Sequence, residues 1–135
     1  MIQFSNVSKM YGDSVGLADI NITIEDGEFV FLVGPSGAGK STFIKLLLKE
    51  KEPDEGVIRF DDYEVTSLSN RMVPYYRREV GIVFQDFRLL GDRNVYENVA
   101  FAQRIIEVSS KDIRRNVPSI LATVGLAGKY KAKPK

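Results

Sequence analysis

The 135-residue chain contains no cysteine and no histidine. Without cysteine there can be no disulfide and no thiolate metal site. Without histidine, one common member of catalytic sets is missing. Long apolar runs are also absent. The longest uninterrupted one is five residues, Phe29 to Val33, far below the roughly 20 that a membrane-crossing helix requires. The N-terminus carries no signal-peptide pattern, so a soluble cytosolic chain is expected. Charge of one sign is lacking too. Nineteen basic residues balance 18 acidic ones, which argues against a polyanionic partner such as nucleic acid. A content of 44% hydrophobic and 27% charged residues is ordinary for a globular protein. The length suits one domain with a real core, but not comfortably two.

Directly behind the apolar run stands Gly34-Pro35-Ser36-Gly37-Ala38-Gly39-Lys40-Ser41-Thr42. This is G-x-x-x-x-G-K-[ST] at the end of a predicted strand, the context that confirms a phosphate-binding loop. The glycines let the backbone curl so that successive N–H groups point inward at a phosphate. The helix that follows adds its positive N-terminal end. Lys40 offers a point charge toward β- and γ-phosphates, and the Ser41 hydroxyl can ligate Mg²⁺. A nucleoside triphosphate is the expected ligand.

Elsewhere the pattern alternates between strand and helix. Ile20, Ile22 and Ile24 alternate with polar residues, as in a strand with one buried face. Asp26-Gly27 is a turn signal, and the unalternating Phe29–Val33 predicts a central parallel strand covered on both sides. Phe43, Ile44, Leu46, Leu47 and Leu48 form the stripe of a helix from Gly39 to about Lys49. Pro53-Asp54-Glu55-Gly56 reads as a turn before a strand at Val57, Ile58 and Phe60. Residues 74 to 78 read as a short helical connector, and Gly81 to Phe84 as another strand. Asn94 to Ile106 predicts a helix with Val95, Val99, Ala102 and Ile106 on one face. Ser110 is the expected N-cap of a further helix reaching Val124, with a kink or break at Pro118. The lysine-rich residues 129 to 135 read as a solvated chain end.

Two more residues narrow the phosphate-loop class. Tyr11, about two dozen residues before the loop, can stack on a purine ring. Gln85 follows an apolar strand directly, where a carboxamide could reach Mg²⁺ and an attacking water. Together these features resemble the nucleotide-binding domain of ABC-type ATPases. Tyr11 corresponds to that family's adenine-stacking A-loop, Gly34 to Thr42 to its Walker A, and Gln85 to its Q-loop. The stretches Val80 to Leu90 and Asp92 to Ala102 look like the FtsE group, its cell-division branch.

The resemblance implies an α/β P-loop NTPase core with an antiparallel β-subdomain and the start of a helical subdomain. Residues 1–33 and 53–66 would form the β-rich part, 34–52 the loop and its helix, 81–90 the Q-loop, and 94–128 the helical start. It implies ATP as ligand to Tyr11 and Gly34–Thr42, Mg²⁺ on Ser41 and Gln85, and catalytic roles for Lys40 and Gln85. It also implies a second ATPase subunit, and a membrane partner of the FtsX kind seated beside the Q-loop. Phe87, Leu89 and Leu90 would be contacts there. The place would be the cytoplasmic side of the inner membrane.

The family's remaining catalytic parts are not present. Nothing after Gln85 reads Leu-Ser-Gly-Gly, and no run of four apolar residues ends in Asp-Glu. A switch histidine is excluded by composition. The chain is therefore expected to be the N-terminal portion of such an ATPase, with the C-terminal half of the core missing, binding ATP but hydrolysing it poorly. Three alternatives stay open: a lipoprotein-release or macrolide-export ATPase, a non-catalytic nucleotide-binding module, and an unrelated P-loop kinase.

Overall fold

The computed structural model describes residues 1–134; Lys135, the end of the lysine-rich tail, lies outside them. The chain divides into two compact units, Met1–Val80 and Gly81–Lys135.

The first unit is built on a four-stranded antiparallel sheet in the order β2-β1-β3-β4. Its strands are β1 (Ile2–Tyr11), β2 (Ser14–Ile24), β3 (Glu55–Phe60) and β4 (Tyr63–Glu64). The isoleucine alternation in β2 is realised, with Ile20, Ile22 and Ile24 less exposed than Asn21 and Thr23 between them. Helix α1 (Lys40–Leu47) packs on one face of the sheet, and Phe43 stacks on Phe4 of β1 with ring centroids 4.1 Å apart. Phe4, Val7, Leu46, Ile58, Val65 and Tyr76 complete most of this core.

The short helix α2 (Val73–Arg78) closes the far end of α1. The buried Tyr76 hydroxyl donates to the Leu47 carbonyl. The Arg77 guanidinium donates to the carbonyls of Leu48 and Lys49 at 2.9 and 3.0 Å. The last carbonyls of a helix have no partner inside it; here α2 supplies them from two side chains.

The second unit pairs α3 (Val95–Ile105) with α4 (Ser110–Thr123) around Ala100, Ile113, Val117 and Leu121. Ser109, one residue earlier than expected, caps α4: its hydroxyl accepts from the Asp112 amide at 3.1 Å. Pro118 neither ends nor divides α4, because Ile113, Val117 and Leu121 hold both halves to the same core. Gly125, at φ +73°, supplies the left-handed residue that terminates the helix.

Several expectations need correction. Phe29–Val33 and Gly81–Phe84 join no sheet among the described residues. A strand exists by virtue of a neighbour's backbone, and neither segment pairs with any of the four strands. In α3, Ala102 and Ile106 lie outside the buried face, which turns instead about Ala100 with Val95, Tyr96 and Val99. The tail is also not free. The carbonyls of Tyr130 and Ala132 accept the amides of Tyr96 and Val95 at 3.0 and 2.8 Å, filling the open donors at the start of α3.

Candidate functional site

The phosphate-loop sequence leads straight into α1. Gly39 is the residue before the helix, at φ +89°, and no side chain caps that end. The first amides of α1 thus remain open donors at the positive end of a helix dipole. A Cβ on Gly39 would lie 2.2 Å from the Gly16 carbonyl oxygen in β2. Glycine is required there twice, for its backbone angle and for the closeness of the loop to the sheet. The Lys40 ammonium folds back over the loop and donates to the carbonyls of Gly34 and Pro35 at 2.6 and 2.7 Å. The Ala38 amide donates to the Pro35 carbonyl at 3.2 Å.

The β1–β2 hairpin brings Tyr11 to the same place. A groove of about 410 Å³ is lined by Tyr11, Ser14, Val15 and Gly16 from the hairpin and by Ser36, Gly37, Gly39, Lys40, Ser41 and Thr42 from the loop. The Tyr11 hydroxyl sits 3.4 Å from the Thr42 hydroxyl, and Tyr11 as a whole is 42% exposed. Residues 31 positions apart thus meet across one groove. Gly34, Pro35 and Ala38 do not line it; the Gly34 and Pro35 carbonyls hold the Lys40 ammonium.

Asp54, in the turn before β3, holds the strand end that carries Tyr11. Its carboxylate accepts from the Lys9 ammonium at 2.8 Å and from the Met10 amide at 2.6 Å. The Lys9 contact first, and the Met10 amide second, hold this carboxyl below its ordinary range. The sequence marks Asp54 only as a turn residue, because its partners lie more than 40 positions away.

Gln85 belongs to the second unit, exposed in the turn formed by residues 85 to 88. Phe87 and Arg88 both take left-handed angles, φ +56° and +45°. The turn is held by Phe87 N–H on the Phe84 carbonyl at 3.0 Å and by the Arg88 guanidinium 3.6 Å from the Phe84 ring centroid. Phe87 and Leu89 are exposed, and Leu90 is half-buried. Leu90 is bound through its backbone to the side chain of Asn98, which sequence reading passed over.

A sequence model of the family described as ABC transporter matches residues 17–135. The chain belongs to the ABC transporter family. It is similar to the cell division ATP-binding protein FtsE of Mycobacterium tuberculosis, 49% identical over 136 residues, covering 99% of this chain and 59% of that protein. The FtsE of Escherichia coli K12 is 46% identical over 99% of this chain and 61% of its own length. That of Bacillus subtilis is 43% identical over 98% and 58%. The chain therefore spans roughly three fifths of the length of these curated relatives. Among solved structures, it superposes with a TM-score of 0.88 and 30% identity on the dimeric, post-hydrolysis state of the ATP-binding cassette MJ0796 bound to ADP and Pi. The match covers 99% of this chain and 62% of that one. A second dimeric structure of MJ0796, described as a bacterial ABC transporter cassette, gives 0.88 at 31% identity. The fold is that of an ABC cassette over part of its length, with the antiparallel sheet, phosphate loop and helical unit the sequence predicts.

Proposed function

We propose that this ABC chain is the nucleotide-binding portion of an FtsE-like ATPase, binding Mg·ATP and serving a membrane partner in cell division. The observation that carries the reading is the groove in which Tyr11 faces Ser36–Thr42 at the open end of α1. Identities of 46% and 49% to FtsE proteins supply the cell-division setting.

The residues present fit the ligand. The loop backbone from Gly34 to Thr42 would surround the phosphates, with the Lys40 ammonium exchanging its two carbonyl partners for phosphate oxygens. The Tyr11 ring, part-exposed at the groove's edge, would stack on adenine. Among the described residues, no group of three or more Asp or Glu side chains could hold a metal unaided. Mg²⁺ would take the Ser41 hydroxyl and phosphate oxygens, and the family resemblance adds the Gln85 carboxamide as a further ligand. Mg²⁺ when bound would neutralise phosphate charge; the chain's part is to bind and to orient.

Hydrolysis by this chain alone would be marginal. No Leu-Ser-Gly-Gly and no apolar run ending in Asp-Glu follows Gln85, and losing groups that act on transition-state charge costs orders of magnitude in rate. A second ATPase subunit, as in the dimeric MJ0796 structures, and an FtsX-like partner beside Phe87 and Leu89 complete the proposal. Among the described residues no helix is long and apolar enough to cross a membrane.

Calorimetric titration with Mg·ATP, beside Lys40→Ala, tests the site. Binding that is lost in the variant is the expected result. Equal binding by both proteins would remove the phosphate loop from the account.

A further inference from the structure

We propose that Asn98 is a positioning residue that fixes the Gln85–Leu90 loop to α3. Its side chain grips Leu90 at both backbone groups. The carboxamide oxygen accepts the Leu90 amide at 2.8 Å, and the carboxamide nitrogen donates to the Leu90 carbonyl at 3.1 Å. The same nitrogen lies 3.0 Å from the Asn94 carbonyl and 3.3 Å from that of Arg93. The orientation of the amide follows from its partners. An N–H stands on one side and carbonyls on the other, so a flipped amide would set donor against donor.

This grip matters because of what it terminates. Phe87 and Arg88 hold consecutive left-handed angles, which non-glycine residues keep only where the surroundings over-determine them. The turn's own bonds tie Phe87 and Arg88 to Phe84 and Asp86 at one end. Asn98 closes the other end at Leu90. Between these two fixed points lie Gln85 and the exposed Phe87 and Leu89. Asparagine is a poor choice inside a helix, and Asn98 stands in the first turn of α3, where a carboxamide can reach back to the preceding segment. Asparagine there serves the loop, since the amides of Val95, Tyr96 and Glu97 already have other acceptors.

The functional half of this inference rests on the proposed role of Gln85 toward Mg·ATP; the positional half does not. The test uses the whole chain as wild type, Asn98→Ala, Asn98→Asp and Gln85→Ala. Amide hydrogen exchange should show the Leu90 amide opening at least tenfold faster in Asn98→Ala, while Phe101 to Ile105 stay within twofold. Uniform loosening of α3, or no change at Leu90, overturns the proposal. Asn98→Asp keeps the shape and the acceptor for the Leu90 amide but sets an oxygen against the Leu90, Asn94 and Arg93 carbonyls, and it guards against an alanine variant that fails to fold. Its Leu90 amide should open at least threefold faster than wild type, and exchange at the wild-type rate overturns the assignment of the carboxamide nitrogen as the donor. ATP affinity with and without Mg²⁺ then reads function. Asn98→Ala and Gln85→Ala should lose the same share of the Mg²⁺-dependent gain, with Mg²⁺-free affinity unchanged. If Gln85→Ala keeps that gain, the reading of Gln85 fails while the exchange result stands. If Gln85→Ala loses it and Asn98→Ala does not, positioning by Asn98 is overturned.

Discussion

At the scale of single residues, Tyr76 decides more than its place in a short connector suggests. Its ring is fully buried among Phe60 and Tyr63, and its hydroxyl serves the last carbonyl of the phosphate-loop helix. Burial pushes its pKa up to about 12, with the nearby Arg77 charge pulling the other way. The unfolded chain therefore loses this proton first, near the ordinary value of about 10. Stability drawn from the neutral phenol is complete below that pH and drains away as pH rises toward about 12. Tyr76→Phe should cost about 1–3 kcal/mol at neutral pH, because the Leu47 carbonyl is left buried without its donor. The gap between the two proteins in urea unfolding should narrow at pH 11. Two glycines of the loop offer a second contrast. Gly37 and Gly39 both have positive φ, but a Cβ meets nothing at Gly37 and the Gly16 carbonyl at Gly39. Gly37→Ala should cost only backbone strain, about 1 kcal/mol. Gly39→Ala should cost at least about 2 kcal/mol, because β2 must also shift. Urea midpoints of both variants check the difference, and Mg·ATP binding should fail in Gly39→Ala alone.

At the scale of elements, what was legible is what a local window holds. The stripe of α1, the cap signal before α4 and the alternation of β2 each lie within a dozen or so residues and predict their elements directly. The buried face of α3 does not, because apolar residues run most of the way round it. Only α4 selects the side centred on Ala100. The role of the tail was hidden for a different reason: a lysine-rich sequence advertises charge, whereas α3 uses the carbonyls of Tyr130 and Ala132. Pro118 shows tertiary packing overriding a local rule. Its missing N–H leaves the Arg114 carbonyl without the usual helical donor, yet α4 runs on unbroken. Pro118→Ala restores that donor at an exposed position and should stabilise the unit by about 1–3 kcal/mol. The gain should appear as a higher melting temperature, with the circular-dichroism helix signal unchanged or slightly larger. A loss instead would mean that the proline ring, which lines an apolar cavity of about 290 Å³ with Tyr96, Leu121 and Tyr130, contributes more packing than the bond returns.

At the scale of the whole molecule, the phosphate loop and the strand before it part company. Nine contiguous residues carry the loop's chemistry, so the site was legible without the fold. The run Phe29–Val33 has strand composition but depends on neighbours that no local pattern can provide. Phe29, Phe31 and Val33 are 84%, 76% and 83% exposed, while Val30 and Leu32 are nearer 45%. That alternation marks one face of an extended segment turned wholly to solvent, with backbone groups joined to no sheet. Exposed apolar segments with open edges recruit other copies. The chain should therefore self-associate at micromolar concentrations, visible as a concentration-dependent sedimentation coefficient. Phe29→Lys with Phe31→Lys places two charges on the exposed face, outside the groove lined by Tyr11 and Lys40. The double variant should sediment as a monomer, with the fold held by the Phe4–Phe43 core and intact by circular dichroism. Association undiminished in the double variant would move the contact to the other unpaired apolar segment, where Val83 is 90% exposed. Val83→Lys would then be the change that restores the monomer.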